Sequence, residues 1–292
     1  MDLGFVIPHS GTLGWVFGDG FSCRCGQWRG IRMEVSLPRV LVTGATGRTG
    51  QLVWKKLVGS GKWDPVGVVR SRERAEEVLG SESVSRVSFT SLTDPEGEET
   101  LRQAMQGCKA LIILSSAMPI PKDLSKSPPE FGYIEGQMPE QVDWIGAKRC
   151  MDLAKRVSTV DHIVLVGSMG STNPDHPLNK IGNGNILSWK RKAEEYLITQ
   201  VDIPYTVINP GGLINEPGGQ RELMVGKADM LLEMMGNQGS TIPREDVAEV
   251  VVQALDHSDS RNKAFDIISR PPGQGVPTKD FTALFRSTTP GL

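Results

Sequence analysis

The octapeptide Thr43-Gly44-Ala45-Thr46-Gly47-Arg48-Thr49-Gly50 constrains this chain more than any other stretch, because of what stands on either side of it. An apolar trio, Val40-Leu41-Val42, precedes it. After it, Gln51-Leu52-Val53-Trp54-Lys55-Lys56-Leu57 repeats apolar residues at helical spacing. Strand, glycine turn and helix in that order open a dinucleotide-binding βαβ unit. Gly44 lets the chain leave the strand sharply. Gly47 leaves room for a pyrophosphate to reach backbone N–H groups. Gly50 lets the helix lie close to the sheet with its positive end towards the phosphates. Glycine-rich turns are common in α/β proteins, so the flanking strand and helix are what give the pattern its force.

From Arg39 onward, short apolar runs alternate with helical patterns, which implies an α/β fold with a Rossmann-type doubly wound parallel sheet in a single domain. Strands are expected at 39–43, 65–69, 86–90, 109–114, 161–167, 204–208 and 263–268. Helices fit 48–59, 72–79, 97–106, 139–157, 187–200, part of 219–235, and 244–256. Two irregular stretches, 116–138 and 169–185, each follow a strand at its carboxyl end. Ligand crevices in open α/β sheets form at that edge, so these loops are the expected walls of a small-molecule substrate site.

The second expected strand ends Val68-Val69-Arg70-Ser71, with Arg70 twenty residues after Gly50. A site for NAD usually places Asp or Glu here to accept from the ribose hydroxyls. A site for NADP replaces that acid with a guanidinium that binds the 2′-phosphate. Arg70 therefore favours NADP(H), with Arg48 in the glycine turn expected to reach the same phosphate.

A net charge of −2 with 23 % charged and 38 % hydrophobic residues argues against a nucleic-acid or anionic-membrane binder, both of which want a basic surface. No apolar stretch approaches the roughly 18–20 residues of a membrane span. The cysteines, Cys23, Cys25, Cys108 and Cys150, are too scattered for a disulfide framework, and no second Cys or His pair stands at metal-ligand spacing. A reduced compartment and no structural metal are expected.

Residues 1–37 read as an N-terminal extension to a domain spanning 38–292. The first 32 hold glycines at 4, 11, 14, 18, 20, 26 and 30, only Asp2 and Asp19 as acids, and Arg24, Arg29 and Arg32 at the far end. They fit a transit segment, or a start of translation at Met33, and are expected to lie outside the folded domain.

These features resemble the atypical short-chain dehydrogenase/reductase family, in its NmrA-like and biliverdin-reductase-B-like branch, and within it a group of plant NAD(P)-binding proteins. The resemblance rests on the glycine turn, on Glu140-Gln141-Val142-Asp143-Trp144-Ile145-Gly146 and on Val166-Gly167-Ser168-Met169-Gly170. It continues through Thr172-Asn173-Pro174-Asp175-His176-Pro177-Leu178-Asn179-Lys180 and Trp189-Lys190-Arg191-Lys192-Ala193-Glu194, and covers residues 38 to 286. It implies that Gly44, Thr46, Gly47, Arg48, Thr49 and Gly50 hold the pyrophosphate region and Arg70 the 2′-phosphate. Leu92 would border the adenine, and Ser115, Ser116 and Ala117 the ribose. Ser168 would take the place of the family's catalytic serine, Lys192 that of the lysine on the nicotinamide ribose, and Asn209, Pro210 and Gly211 would flank the carboxamide. It also implies a location in cytosol or plastid.

Two departures bear on chemistry. The superfamily's acid is a tyrosine four residues before its lysine, and four before Lys192 stands Ser188, a hydroxyl of far too high a pKa for that role. Where the family commonly has Asp beside the adenine, this chain has Ser91. The expectation is an NADPH-dependent reductase without the usual tyrosine, its proton coming from water, Ser168 or His176. The alternative is a non-catalytic NADP(H)-binding redox sensor or scaffold.

Overall fold

The computed structural model of the chain describes residues 36–127 and 129–290. Its framework grows from the apolar runs. Strand β1 (Arg39–Thr43) is fully buried at Val40, Leu41 and Val42. A parallel strand covered on both faces reads as an unbroken apolar run, which is what the sequence shows. The glycine turn leads into α1 (Gly50–Ser60), which ends at Gly61 in the left-handed region. Strand β2 (Asp64–Val69) follows, then α2 (Arg72–Leu79), whose N-cap Ser71 accepts from the Arg74 N–H. Next come β3 (Val87–Phe89), α3 (Glu98–Met105) and β4 (Cys108–Ile113).

A hairpin of β5 (Ile120–Asp123) and β6 (Glu130–Gly132) precedes a long helix. That helix opens in wide π turns over Glu140–Gly146 and continues as α4 (Ala147–Val157). After β7 (His162–Val166) stand the short α5 (Pro177–Lys180), then α6 (Ile186–Gln200), β8 (Tyr205–Pro210) and β9 (Gly212–Ile214). The chain closes with β10 (Leu223–Gly226), α7 (Met230–Gly239), β11 (Thr241–Pro243), α8 (Arg244–Asp256), β12 (Lys263–Ser269) and α9 (Phe281–Arg286).

The main sheet has the order β10-β12-β8-β7-β4-β1-β2-β3. All neighbours are parallel except the edge strand β10, which runs antiparallel to β12. This is the doubly wound Rossmann arrangement, and the chain reverses direction across the sheet at β1 and β4. Alternation along the strands sends side chains into two cores. Val40, Val42, Ile112 and Val164 pack with Val53, Trp54 and Leu57 of α1 and with Val247, Val250 and Val251 of α8. On the other face, Leu41, Leu111, Ile113 and Ile163 meet Leu101 and Met105 of α3, Met151 and Leu153 of α4, and Leu197 of α6.

Leu37–Leu292 form one unit. The expectation for residues 1–37 falls, apart from Ser36 and Leu37, outside the described residues. Several short elements lie outside the sequence reading, among them β9, β11 and α9. Within 219–235, where helix was expected in part, the helix begins at Met230 as α7, and the earlier residues hold strand β10. Leu223, Met224 and Val225 pair along β12 instead, and the chain then turns through Ala228 (φ 52°) and Asp229 (φ 64°), which no right-handed helix can contain. The two expected loops also hold regular structure, the β5–β6 hairpin within 116–138 and α5 within 169–185.

Candidate active site

The site is built at the carboxyl edge of the sheet, where the turns after β1, β4, β7 and β8 meet. Gly44 has φ 68°, and a Cβ there would stand 2.9 Å from the Leu114 carbonyl carbon and the Ser115 nitrogen. The glycine turn thus lies directly against the start of the loop after β4, and Thr43 Oγ1 reinforces the contact by accepting from the Leu114 N–H. The Gly47 N–H closes the turn on the Gly44 carbonyl at 2.9 Å. A Cβ on Gly50 would collide with that same carbonyl oxygen, so the helix start and the turn occupy space only glycine leaves open. The result is a shallow cradle without side chains at the positive end of α1, the shape and polarity that a diphosphate fits. Thr46 and Thr49 are half-buried beside it, and Arg48 is exposed.

Arg70 ends β2 at the surface, and its Nη1 donates to Gln137 Oε1 on the far wall of the crevice. Arg48 stands in the glycine turn, and no hydrogen bond or ion pair joins its side chain to that of Arg70. The charge of Arg48 bears on Arg244, at the start of α8. Leu92 is buried beneath Gly146, and its carbonyl accepts from Arg149. Ser91, which replaces the family's Asp, shares a hydrogen bond with Thr93.

Beyond β4, Ser115 is half-buried, Ser116 exposed and Ala117 buried. The Ala117 N–H donates at 2.9 Å to Oδ2 of Asp143, in the π-turn stretch, and Lys190 Nζ of α6 lies 2.8 Å from Oδ1 of the same carboxylate. The Asp143 side chain is 1 % exposed and that of Lys190 13 %. A buried ion pair gains from further hydrogen bonds; here the Ala117 N–H supplies one to Oδ2, while Oδ1 faces the ammonium without a hydrogen bond. Lys192, the lysine singled out from sequence, points elsewhere. Its Nζ lies 4.7 Å over the Trp144 ring and 5.0 Å over Trp189, on an exposed face. Two residues on a helix differ by about 200°, so Lys190 and Lys192 cannot share a face.

Ser168 follows β7, half-buried, and its hydroxyl donates to the Met169 carbonyl. The His176 ring packs against Gly170, and its Nδ1 caps α5 by accepting from the Leu178 N–H. Asp229 fastens this loop by accepting from the Gly170 N–H, the Thr172 N–H and the Thr172 hydroxyl. Asn209 presses against Gly167 and donates to the buried Glu194, whose carboxyl burial pushes above its ordinary value. The Pro210 carbonyl accepts from the Met169 N–H, and Gly211 packs against Ser240.

The two loops expected to wall a substrate site do face each other. Between them lies a cleft of about 550 Å³ lined by Tyr133, Met138, Trp189, Glu135, Glu140 and Asn185 among others, with no lysine or arginine among its lining residues. Burial first, and then the charge of Asp143, hold the Tyr133 phenol above its usual pKa. Among the described residues no cluster suits a metal ion, and no helix is long and apolar enough to cross a membrane.

Lys190, the pairing role of Asp143, Tyr133 and Arg244 were missed in the sequence. For Lys190 a signal existed. Leu187, Lys190, Ala193, Glu194 and Leu197 fall at steps of three and four, the inward stripe of α6, and Lys192 lies off it.

With this geometry in hand, comparison with known proteins gives one answer. The NAD(P)H-binding family profile matches residues 44–258. An uncharacterized chloroplastic protein of Arabidopsis thaliana is 51 % identical over 255 residues, covering 86 % of this chain and 75 % of that protein. Sanguinarine reductase of Eschscholzia californica is 47 % identical over 272 residues, covering 86 % and 96 %. Among solved structures, a short-chain dehydrogenase/reductase of Veillonella parvula in complex with NADP matches with a TM-score of 0.55 at 15 % identity, over 84 % of this chain and 99 % of that one. An anaerobillin reductase of Escherichia coli O157:H7 matches at 0.58 and 16 %, over 82 % and 100 %, a likeness of fold. The chain belongs to the NAD(P)H-binding family and carries the Rossmann-type fold of these solved reductases.

Proposed function

We propose that this chain is an NADP(H)-dependent reductase of a small planar organic substrate, with Lys190 as the lysine of its site. The observation that carries this is the chain of contacts from Ala117 through Asp143 to Lys190, which fixes one ammonium group between the β4 loop and α6. An ammonium has three N–H donors, and the contact with Asp143 is an ion pair without hydrogen-bond geometry, so donors remain for ribose hydroxyls. Arg70, where an NAD site has its acid, supports NADP(H) over NAD(H). The reductase name of the Eschscholzia relative supports the reaction type. Chloroplast residence is proposed from the Arabidopsis likeness alone.

No phenol stands four residues before either lysine. Ile186 precedes Lys190, and Ser188, which accepts from Asn179 Nδ2, precedes Lys192. NADPH, when bound, would supply a hydride, and an iminium acceptor would need no proton from the protein because its C=N electron pair ends on nitrogen. The Tyr133 ring together with Glu135 and Glu140, in a cleft with no lysine or arginine among its lining residues, suits such a planar cation. Tyr133, its phenol held protonated, would serve as a ring face. The missing phenol equally favours the alternative, a non-catalytic NADP(H) sensor.

NADPH oxidation against N-methylacridinium, N-methylquinolinium, quinones and enones, with cofactor binding followed in parallel, separates the two. Turnover of the cations is expected. Binding without any turnover points to the sensor. Lys190→Ala should lower cofactor affinity and turnover about ten- to a hundredfold, the worth of one charge-assisted contact, while Lys192→Ala stays near wild type. The reverse pattern would remove Lys190 from the site.

A further inference from the structure

We infer that Arg244 is a phosphate-binding residue of the dinucleotide site, acting with Arg48 on the diphosphate bridge and leaving the 2′-phosphate to Arg70; the inference rests on the dinucleotide reading above. Arg244 opens α8 and is 8 % exposed. Its Nη1 donates to two neutral acceptors, the Leu213 carbonyl at 3.1 Å and Asn215 Oδ1 at 2.6 Å. Among the described residues it has no carboxylate partner, and its Nε and Nη2 groups have no acceptor. The acids beside it in the first turn of α8 accept from other groups. Glu245 accepts from the Gly218 N–H at 2.7 Å, and Asp246 from the Gly219 N–H at 2.5 Å.

The second cation comes from the glycine turn. Helices α1 and α8 lie side by side, tied by a 2.6 Å ion pair between Lys56 and Glu249. This brings together the start of α8 and the turn that carries Arg48, two residues ahead of α1. Burial, and after it the charge of Arg48, depress the pKa of Arg244. Two guanidinium groups thus stand at the starts of neighbouring helices, and the one nearly withdrawn from water has no carboxylate among its described partners. A buried cation without a counter-charge is unfavourable, and an anion with several oxygens relieves it best. Arg70 lies on the opposite flank, beyond β1 at the end of β2, so it addresses a different part of a ligand laid across the turn.

The test is binding of NADPH and NADH to the full chain, alongside thermal melting with and without inorganic pyrophosphate. Arg244→Gln should weaken NADPH and NADH by the same factor, about ten- to a hundredfold for a lost charge-assisted contact. Arg70→Gln should weaken NADPH alone. Pyrophosphate should raise the melting temperature of wild type and fail to do so for Arg244→Gln or Arg48→Gln. Without ligand, Arg244→Gln should melt no lower than wild type, since repulsion is relieved. If Arg244→Gln proves poorly folded, Arg48→Gln at an exposed position reads the same equal loss for both dinucleotides. The inference is overturned if both affinities survive Arg244→Gln, or if only NADPH is lost, which would assign it the 2′-phosphate. It is also overturned if only the KM of the reducible substrate rises, which would assign it a substrate anion. Wild type that binds neither dinucleotide would instead overturn the underlying reading.

Discussion

Asp266 and His162 are both buried in the sheet, and their titrations oppose each other. Asp266 in β12 is 3 % exposed and its carboxyl is pushed from 3.8 up to about 7. Burial is the main cause, the charges of Asp229 and Glu194 add to it, and the hydrogen bond from the Asp229 N–H works against it. His162 in β7 is 2 % exposed and is pushed from 6.5 down to about 3, by burial and then by Arg261. Its Nε2 is shared with the Thr206 hydroxyl. Between pH 4 and 7 the folded chain holds a proton on Asp266 that the unfolded chain has released, so this group makes stability fall as pH rises. Between pH 6.5 and 3 the unfolded chain protonates His162 and the folded chain does not, so this group makes stability fall as pH drops. Each tenfold proton step is worth about 1.4 kcal/mol, so each group alone spans on the order of 4 kcal/mol as a ceiling. Across their shared window, roughly pH 4 to 6.5, the two slopes cancel.

Asp266→Asn keeps an acceptor for the Asp229 N–H and removes one slope. Urea unfolding at half-unit pH steps should then show stability falling towards acid by on the order of 3 kcal/mol between pH 6.5 and 4, relative to the wild-type profile. At pH 8 the variant should be the more stable protein, because it no longer carries a buried carboxylate. His162→Gln should tilt the profile the other way. An Asp266→Asn profile parallel to wild type over that window would refute the assigned titration.

Gly50→Ala forces a Cβ against the Gly44 carbonyl; cofactor affinity should fall at least about tenfold and the melting temperature should drop, both measurable in one thermal-shift titration. Asp229→Ala removes three hydrogen bonds that fasten residues 170–172. Amide exchange there should accelerate and the substrate KM should rise while NADPH affinity is kept, and unchanged exchange would show that the loop is held by other contacts.

The central framework was legible because buried parallel strands are unbroken apolar runs. Val40-Leu41-Val42 and His162-Ile163-Val164-Leu165-Val166 announce themselves. The glycine turn was legible because steric exclusion leaves only one residue type at Gly44 and Gly50. Strand β10 was not, since an edge strand of four residues followed by a left-handed turn has too short a pattern to set against a helix. Between Lys190 and Lys192, residue type decides nothing and helical phase decides everything. The stripe through Leu187, Ala193 and Leu197 gives that phase once it is traced. Arg244 left no mark in the sequence, because the absence of a partner is a property of the fold.

The two hydrophobic cores on opposite faces of the sheet divide the site between them. The glycine turn and Arg244 are carried by α1 and α8, which share one core; Asp143 and Lys190 are carried by the π-turn helix and α6, whose apolar faces fill the other. The sheet acts as a partition. Drift in the second core would reshape the proposed substrate walls while the proposed grip on the phosphates, anchored across the partition, stayed as it was. A fold arranged this way can change what it reduces over evolutionary time without having to relearn how to hold its cofactor.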